Sequence, residues 1–64
     1  MKVNDISRMI AREREKRGLS RYELSKRSGV QINHITKIEQ GAMNARMDTI
    51  IKLLNAMNIE LTLL

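Results

Sequence analysis

Apolar positions recur at helical spacing through most of this chain and change to strict alternation at its end. Ile6 and Ile10 lie four apart on one face, which continues to Arg14 and Arg17. That spacing predicts a first helix from a cap at Asn4 or Asp5 to about Arg17, stopped by Gly18, with Leu19 dropping into the core. Ser20 and Glu23 have the spacing of a capping box, so a second helix is expected over Arg21 to Ser28, burying Leu24. Gly29 supplies the left-handed residue that ends it. A third helix is expected from Gln31 or Ile32 to Gln40, with Ile35 and Ile38 inward and Gln31, Asn33, Thr36 and Lys37 outward. Gln31 is a poor cap for it. Asn44 is a candidate cap for a fourth helix over about Arg46 to Met57, whose residues Met47, Ile50, Ile51, Leu53, Leu54 and Met57 cover a wide apolar face. Asn58 can take the left-handed conformation that ends it. The segment from Ile59 to Leu63 alternates apolar and polar residues, the period of a strand.

Ser20 to Gly41 organises the rest. Two short helices joined by a glycine turn must cross steeply, and this is the helix-turn-helix arrangement. Gln31 to Lys37 then lies on an exposed helix face suited to the major groove of DNA. The totals agree. The chain has 64 residues, which bounds it to one domain with one small core. Twelve Lys and Arg against seven Asp and Glu leave a net charge of +5, which favours a polyanionic partner. One Tyr, with no Phe or Trp, offers no platform for stacking single-stranded bases. The absence of Cys excludes a disulfide framework and a thiolate metal site, and fits a reducing, cytoplasmic setting. No run is apolar enough to span a membrane, and the first residues do not read as a signal peptide.

The run Arg14, Arg17-Gly18-Leu19-Ser20, Glu23-Leu24, Gly29-Val30, Ile35, Ile38-Glu39-Gln40-Gly41, Met47, Ile50-Ile51, Leu53-Leu54 and Met57 resembles the XRE-type (Cro and phage repressor) helix-turn-helix family. The likeness covers about residues 5 to 58 with no insertion. It implies an all-α, lambda-repressor-like bundle that binds double-stranded operator DNA as a homodimer, the operator being palindromic. The departures are Ser25 where the family usually has Ala, Ser28 where it has a larger apolar residue, and Gln31 where it has Ser or Thr. The first two are expected to soften the core. The segment Leu54 to Leu63 also resembles the end of HipB-type antitoxins, which implies a C-terminal β-strand pairing with its mate across the dimer.

The DNA-facing positions implied are Arg21, Gln31, Ile32, Asn33, Thr36 and Lys37. Asn33 and Gln31 suit adenine, Lys37 suits guanine, and Ile32 suits a thymine methyl; the bland reading of the same residues is a solvated helix face. Arg21, at a helix start, is expected to hold a phosphate. Asn44 and Arg46 are further phosphate candidates. His34, the single His, has no cluster for a metal and reads as a surface position or a phosphate contact. Tyr22 is either a rim residue or a phosphate contact. Arg14 and Glu39 are read as a structural ion pair, against the alternative of two unrelated surface charges. Ile51, Leu54, Ile59, Leu61 and Leu63 are expected at the dimer interface. No cofactor is implied, and nothing resembles a catalytic constellation. Two readings of function follow: a sequence-specific transcriptional repressor, and an antitoxin that holds a toxin protein and binds DNA secondarily. The alternating tail favours the second; the lack of a long extension to cover a toxin favours the first.

Overall fold

Four helices follow one another in the order α1 (Val3–Lys16), α2 (Arg21–Ser28), α3 (Ile32–Glu39) and α4 (Met47–Ala56). The computed structural model describes residues 3–42 and 45–60. Helix α1 begins at Val3, ahead of the expected cap, so Asp5 lies in its first turn beside the positive end of the helix dipole. Its inward face carries Ser7, Ile10 and Arg14. Ile6 is only half-buried, and small Ser7 takes the deeper position, beside Ile38 and Glu39 of α3.

Local rules set the helix ends. The Glu23 amide donates to Ser20 Oγ at 3.0 Å and the Ser20 amide donates to Glu23 Oε1 at 3.0 Å, closing the capping box on α2. Gly29, at φ 79°, ends α2 with its amide bonded to the Ser25 carbonyl at 2.9 Å. An L side chain at that φ would be strained, although a Cβ there would meet nothing within 4 Å, so conformation and not space requires the glycine. Helices α1, α3 and α4 end alike: an amide reaches back five residues, Leu19 to Arg14, Ala42 to Lys37 and Ile59 to Leu54, each past a left-handed residue. In α4 that residue is Asn58, at φ 60°. Gln31 caps α3 and Arg46 caps α4 by position alone, with no side-chain hydrogen bond. The cap of α4 is therefore Arg46 and not Asn44, which lies outside the described residues.

The core gathers Ile10, Leu19, Leu24, Val30, Ile35, Ile38, Ile50, Leu53, Leu54 and Met57 from all four helices and the turns between them. Burying this set is the main favourable term in a domain of this size. Two expectations about α4 need correction. Met47 is 50% exposed, because it opens the helix at the edge of the bundle. Leu54 is 1% exposed: it is a core residue of its own chain and leaves no surface for a second copy. Among the described residues there is no strand. Ile59 packs half-buried on the core, and its amide closes the end of α4 instead of joining a ladder. Glu60 is irregular, and Leu61 and Leu63 lie outside the described residues.

The two departures from the family pattern have a job in the turn. Ser25 Oγ donates to the Val30 carbonyl at 2.6 Å, and the Val30 amide donates to Ser28 Oγ at 3.1 Å. Both backbone groups of the buried turn residue Val30 are thus satisfied by α2 hydroxyls, where an unpaired group would be costly. The two serines therefore tie α2 to the turn that leads into α3.

Candidate nucleic-acid interface

Helix α3 turns Ile35 and Ile38 into the core, leaves Asn33 and Lys37 exposed on the opposite side, and exposes Ile32 at the edge between the two. Gln31, just before the helix, is exposed, while Thr36 and His34 are half-buried. Gln31, Asn33, His34 and Lys37 line one open depression of about 340 Å³ along the flank of the helix. This face combines amide donors and acceptors, one ammonium, one imidazole and one apolar contact in Ile32. Such a mixture matches the donor, acceptor and methyl pattern of base-pair edges. The Thr36 hydroxyl donates to the Ile32 carbonyl at 3.0 Å. Its proton is engaged, which leaves the hydroxyl oxygen as an acceptor and the methyl group as an apolar contact.

The back of the same helix is anchored by charge. Arg14 Nε donates to Glu39 Oε2 at 2.7 Å and Arg14 Nη2 to Glu39 Oε1 at 3.0 Å, a two-bonded fork. Arg14 Nη1 also donates to the Leu19 carbonyl at 2.8 Å. The side chains of Arg14 and Glu39 are 11% and 1% exposed. Burial pushes the Glu39 carboxyl up, but hydrogen bonds from Arg14 and Arg21, with the charges of both behind them, outweigh it and hold it below its ordinary range. The bond to Glu39 raises Arg14 in turn. Glu39 is the last residue of α3, so this pair ties α3 to α1.

The third member of this cluster was not visible in the sequence. Arg21 Nε donates to Glu39 Oε1 at 2.9 Å, and its side chain keeps 39% exposure. Expected only as a phosphate contact, Arg21 is also an ion-pair partner 18 residues away from its carboxylate. No helical or strand spacing links such positions; the crossing of α2 and α3 does. Arg17 is a second long-range surprise. Its Nε donates at 3.0 Å to the carbonyl of Met57, the residue that ends α4, while Glu13 holds its Nη1 at 2.6 Å. A cation at that carbonyl suits the negative end of the α4 dipole.

Other candidates stand apart. Arg46 is 87% exposed, with Asp48 at 3.7 Å. Tyr22 is 62% exposed, with Lys26 Nζ 5.4 Å from its ring centroid. Among the described residues no group of His, Cys, Asp and Glu could hold a metal ion, and no helix is long and apolar enough to cross a membrane.

A profile of the helix-turn-helix family matches residues 10–64. Over 62 residues the chain is 32% identical to an uncharacterized HTH-type transcriptional regulator, y4dL, of Sinorhizobium fredii (strain NBRC 101917 / NGR234). The match takes in 97% of this chain and 32% of the relative, so the chain spans about a third of that protein's length. No solved structure matches significantly. The α2–turn–α3 unit, its left-handed Gly29, its outward polar helix face and the profile match together place the chain in the XRE-type helix-turn-helix family.

Proposed function

We propose that this chain is a sequence-specific double-stranded DNA-binding transcriptional regulator, acting as a repressor, with α3 in the major groove. The observation that carries the reading is the outward face of α3, where Asn33, Lys37 and Ile32 are exposed and Thr36 is half-buried between them, while Ile35 and Ile38 hold the helix to the core. Asn33 and Lys37 read bases, Gln31 and His34 border the groove, and Arg21 and Arg46 contact phosphates. Family membership and the net charge of +5 support the same partner. Selection of bound duplexes from a random pool tests it, with one enriched site expected. Asn33→Ala and Lys37→Ala should each relax the preference at one position and cost roughly 1–3 kcal/mol of binding. An unchanged enriched site after Asn33→Ala would show that α3 does not read bases.

The proposal includes a homodimer that sets two α3 helices about 34 Å apart, one turn of DNA. Half-buried Ile51 and Ile59, with Leu61 and Leu63 on alternate positions after Ile59, supply the apolar contact. Deleting residues 60–64 is the clean test, because it keeps Ile59, whose amide closes α4 with a 2.8 Å bond to the Leu54 carbonyl. The truncated chain should sediment as a monomer and bind the selected site more weakly. A truncated chain that remains dimeric places the interface elsewhere.

A further inference from the structure

We infer that Glu39 is a positioning residue for DNA binding: its carboxylate holds the Arg21 guanidinium by Nε, so that the outer edge of the fork is presented to a DNA phosphate at the start of α2. The inference rests on the DNA-binding reading above and adds a device to it. Glu39 cannot follow Arg21, because Arg14 grips both of its oxygens at 2.7 and 3.0 Å in a nearly closed site. It is a fixed acceptor. Arg21 touches that acceptor with Nε at 2.9 Å. The covalent geometry of a guanidinium then places the Nη1–Nη2 edge further from Glu39, at the end of a side chain that is 39% exposed. A planar fork held at one nitrogen loses less freedom when its other edge binds an anion.

Charge and place agree with the geometry. Arg14 has a second carboxylate, Glu15, at 3.7 Å, whereas Arg21 shares only the carboxylate that Arg14 already grips, and Arg21 is the more exposed of the two arginines. A phosphate beside Arg21 completes an alternating row: Arg14, Glu39, Arg21, phosphate. Arg21 is the first residue of α2, directly after the Ser20 cap, where the helix dipole favours an anion. Glu39 is also the last residue of α3. The backbone contact at α2 and the base contacts along α3 are thereby referred to one buried carboxylate, which keeps the register between them.

The test measures binding of a selected duplex across a salt series for the parent, Arg21→Lys, Arg21→Ala and Glu39→Gln, together with NMR of the arginine Nε–H groups. Lys keeps the charge but cannot hold Glu39 and a phosphate as a fork does. Arg21→Lys should therefore bind about tenfold more weakly with the parent's salt slope, and Arg21→Ala should lower that slope by about one. If Glu39→Gln folds, adding Arg21→Lys to it should cost nothing more. The NMR arm needs no substitution: Arg21 Nε–H should be rigid in the parent with and without DNA, unlike that of Arg46. Arg21→Lys binding as the parent does, an unchanged slope in Arg21→Ala, or an Arg21 Nε–H as mobile as that of Arg46 overturns the inference while leaving DNA binding intact. A parent that binds no duplex overturns the functional reading, and this inference with it.

Discussion

Arg14→Met is expected to lower the free energy of unfolding by roughly 3–5 kcal/mol, the cost of stranding one member of a buried ion pair. The substitution removes both bonds to a carboxylate that is 1% exposed and the bond to the Leu19 carbonyl. Arg21 remains bonded to Glu39, which pulls the cost toward the lower end of that range. The loss is still large against a total of about 3–10 kcal/mol for a chain this short. Replacing both partners, Arg14→Met with Glu39→Leu, removes the charge together with its partner. The double variant should lose less than the two singles summed, with a coupling of about 1–3 kcal/mol. Urea unfolding of the four proteins measures it. Additive losses would show that the two residues act independently.

The same carboxylate sets an acid dependence. The folded Glu39 carboxyl lies below its ordinary value of 4.5, so its stabilisation is fully present above that value and is lost as pH falls through the lower folded one. Glu39→Gln should therefore unfold with a weaker dependence on acid than the parent. Glu13, lowered by its bond from Arg17, and Glu23, lowered by the Ser20 backbone and hydroxyl, leave a residual dependence in the variant. An equal slope in both proteins would remove Glu39 from the account.

Leu24→Ala is the second large effect, at about 2–5 kcal/mol. Helix α2 is a polar octapeptide, and Leu24 is its one buried residue, at 0% exposure. The remaining tethers of α2 are polar: the Ser20 box, the Ser25 and Ser28 bonds to Val30, and Arg21 on Glu39. An eight-residue helix has little stability alone, so its place beside α3 and α4 depends on that one side chain. Hydrogen exchange should show the amides of α2 losing protection first, and duplex affinity should fall with them. Leu24→Met, which keeps the volume, should cost less than about 1.5 kcal/mol. A Leu24→Ala protein within about 1 kcal/mol of the parent would mean that the polar tethers hold α2 by themselves.

What the chain encodes locally was readable in its letters. The Ser20–Glu23 box, the left-handed Gly29 and Asn58, the span of α2 and the inward Leu24, Ile35 and Ile38 each depend on residues within about four positions. Backbone hydrogen bonds and helical period act at that range. The family pattern carried the reading further and set Arg14 beside Glu39. Tertiary structure alone decided the rest. It brought Arg21 to Glu39 across 18 residues and Arg17 to the Met57 carbonyl across 40. It buried Ser7 ahead of Ile6, exposed Met47 and drew Leu54 into the core of its own chain. A hydrophobic period states which side of a helix faces inward. How deep each position goes, and which charges meet, depends on the angles at which the helices cross, and those follow from the packing of the whole core.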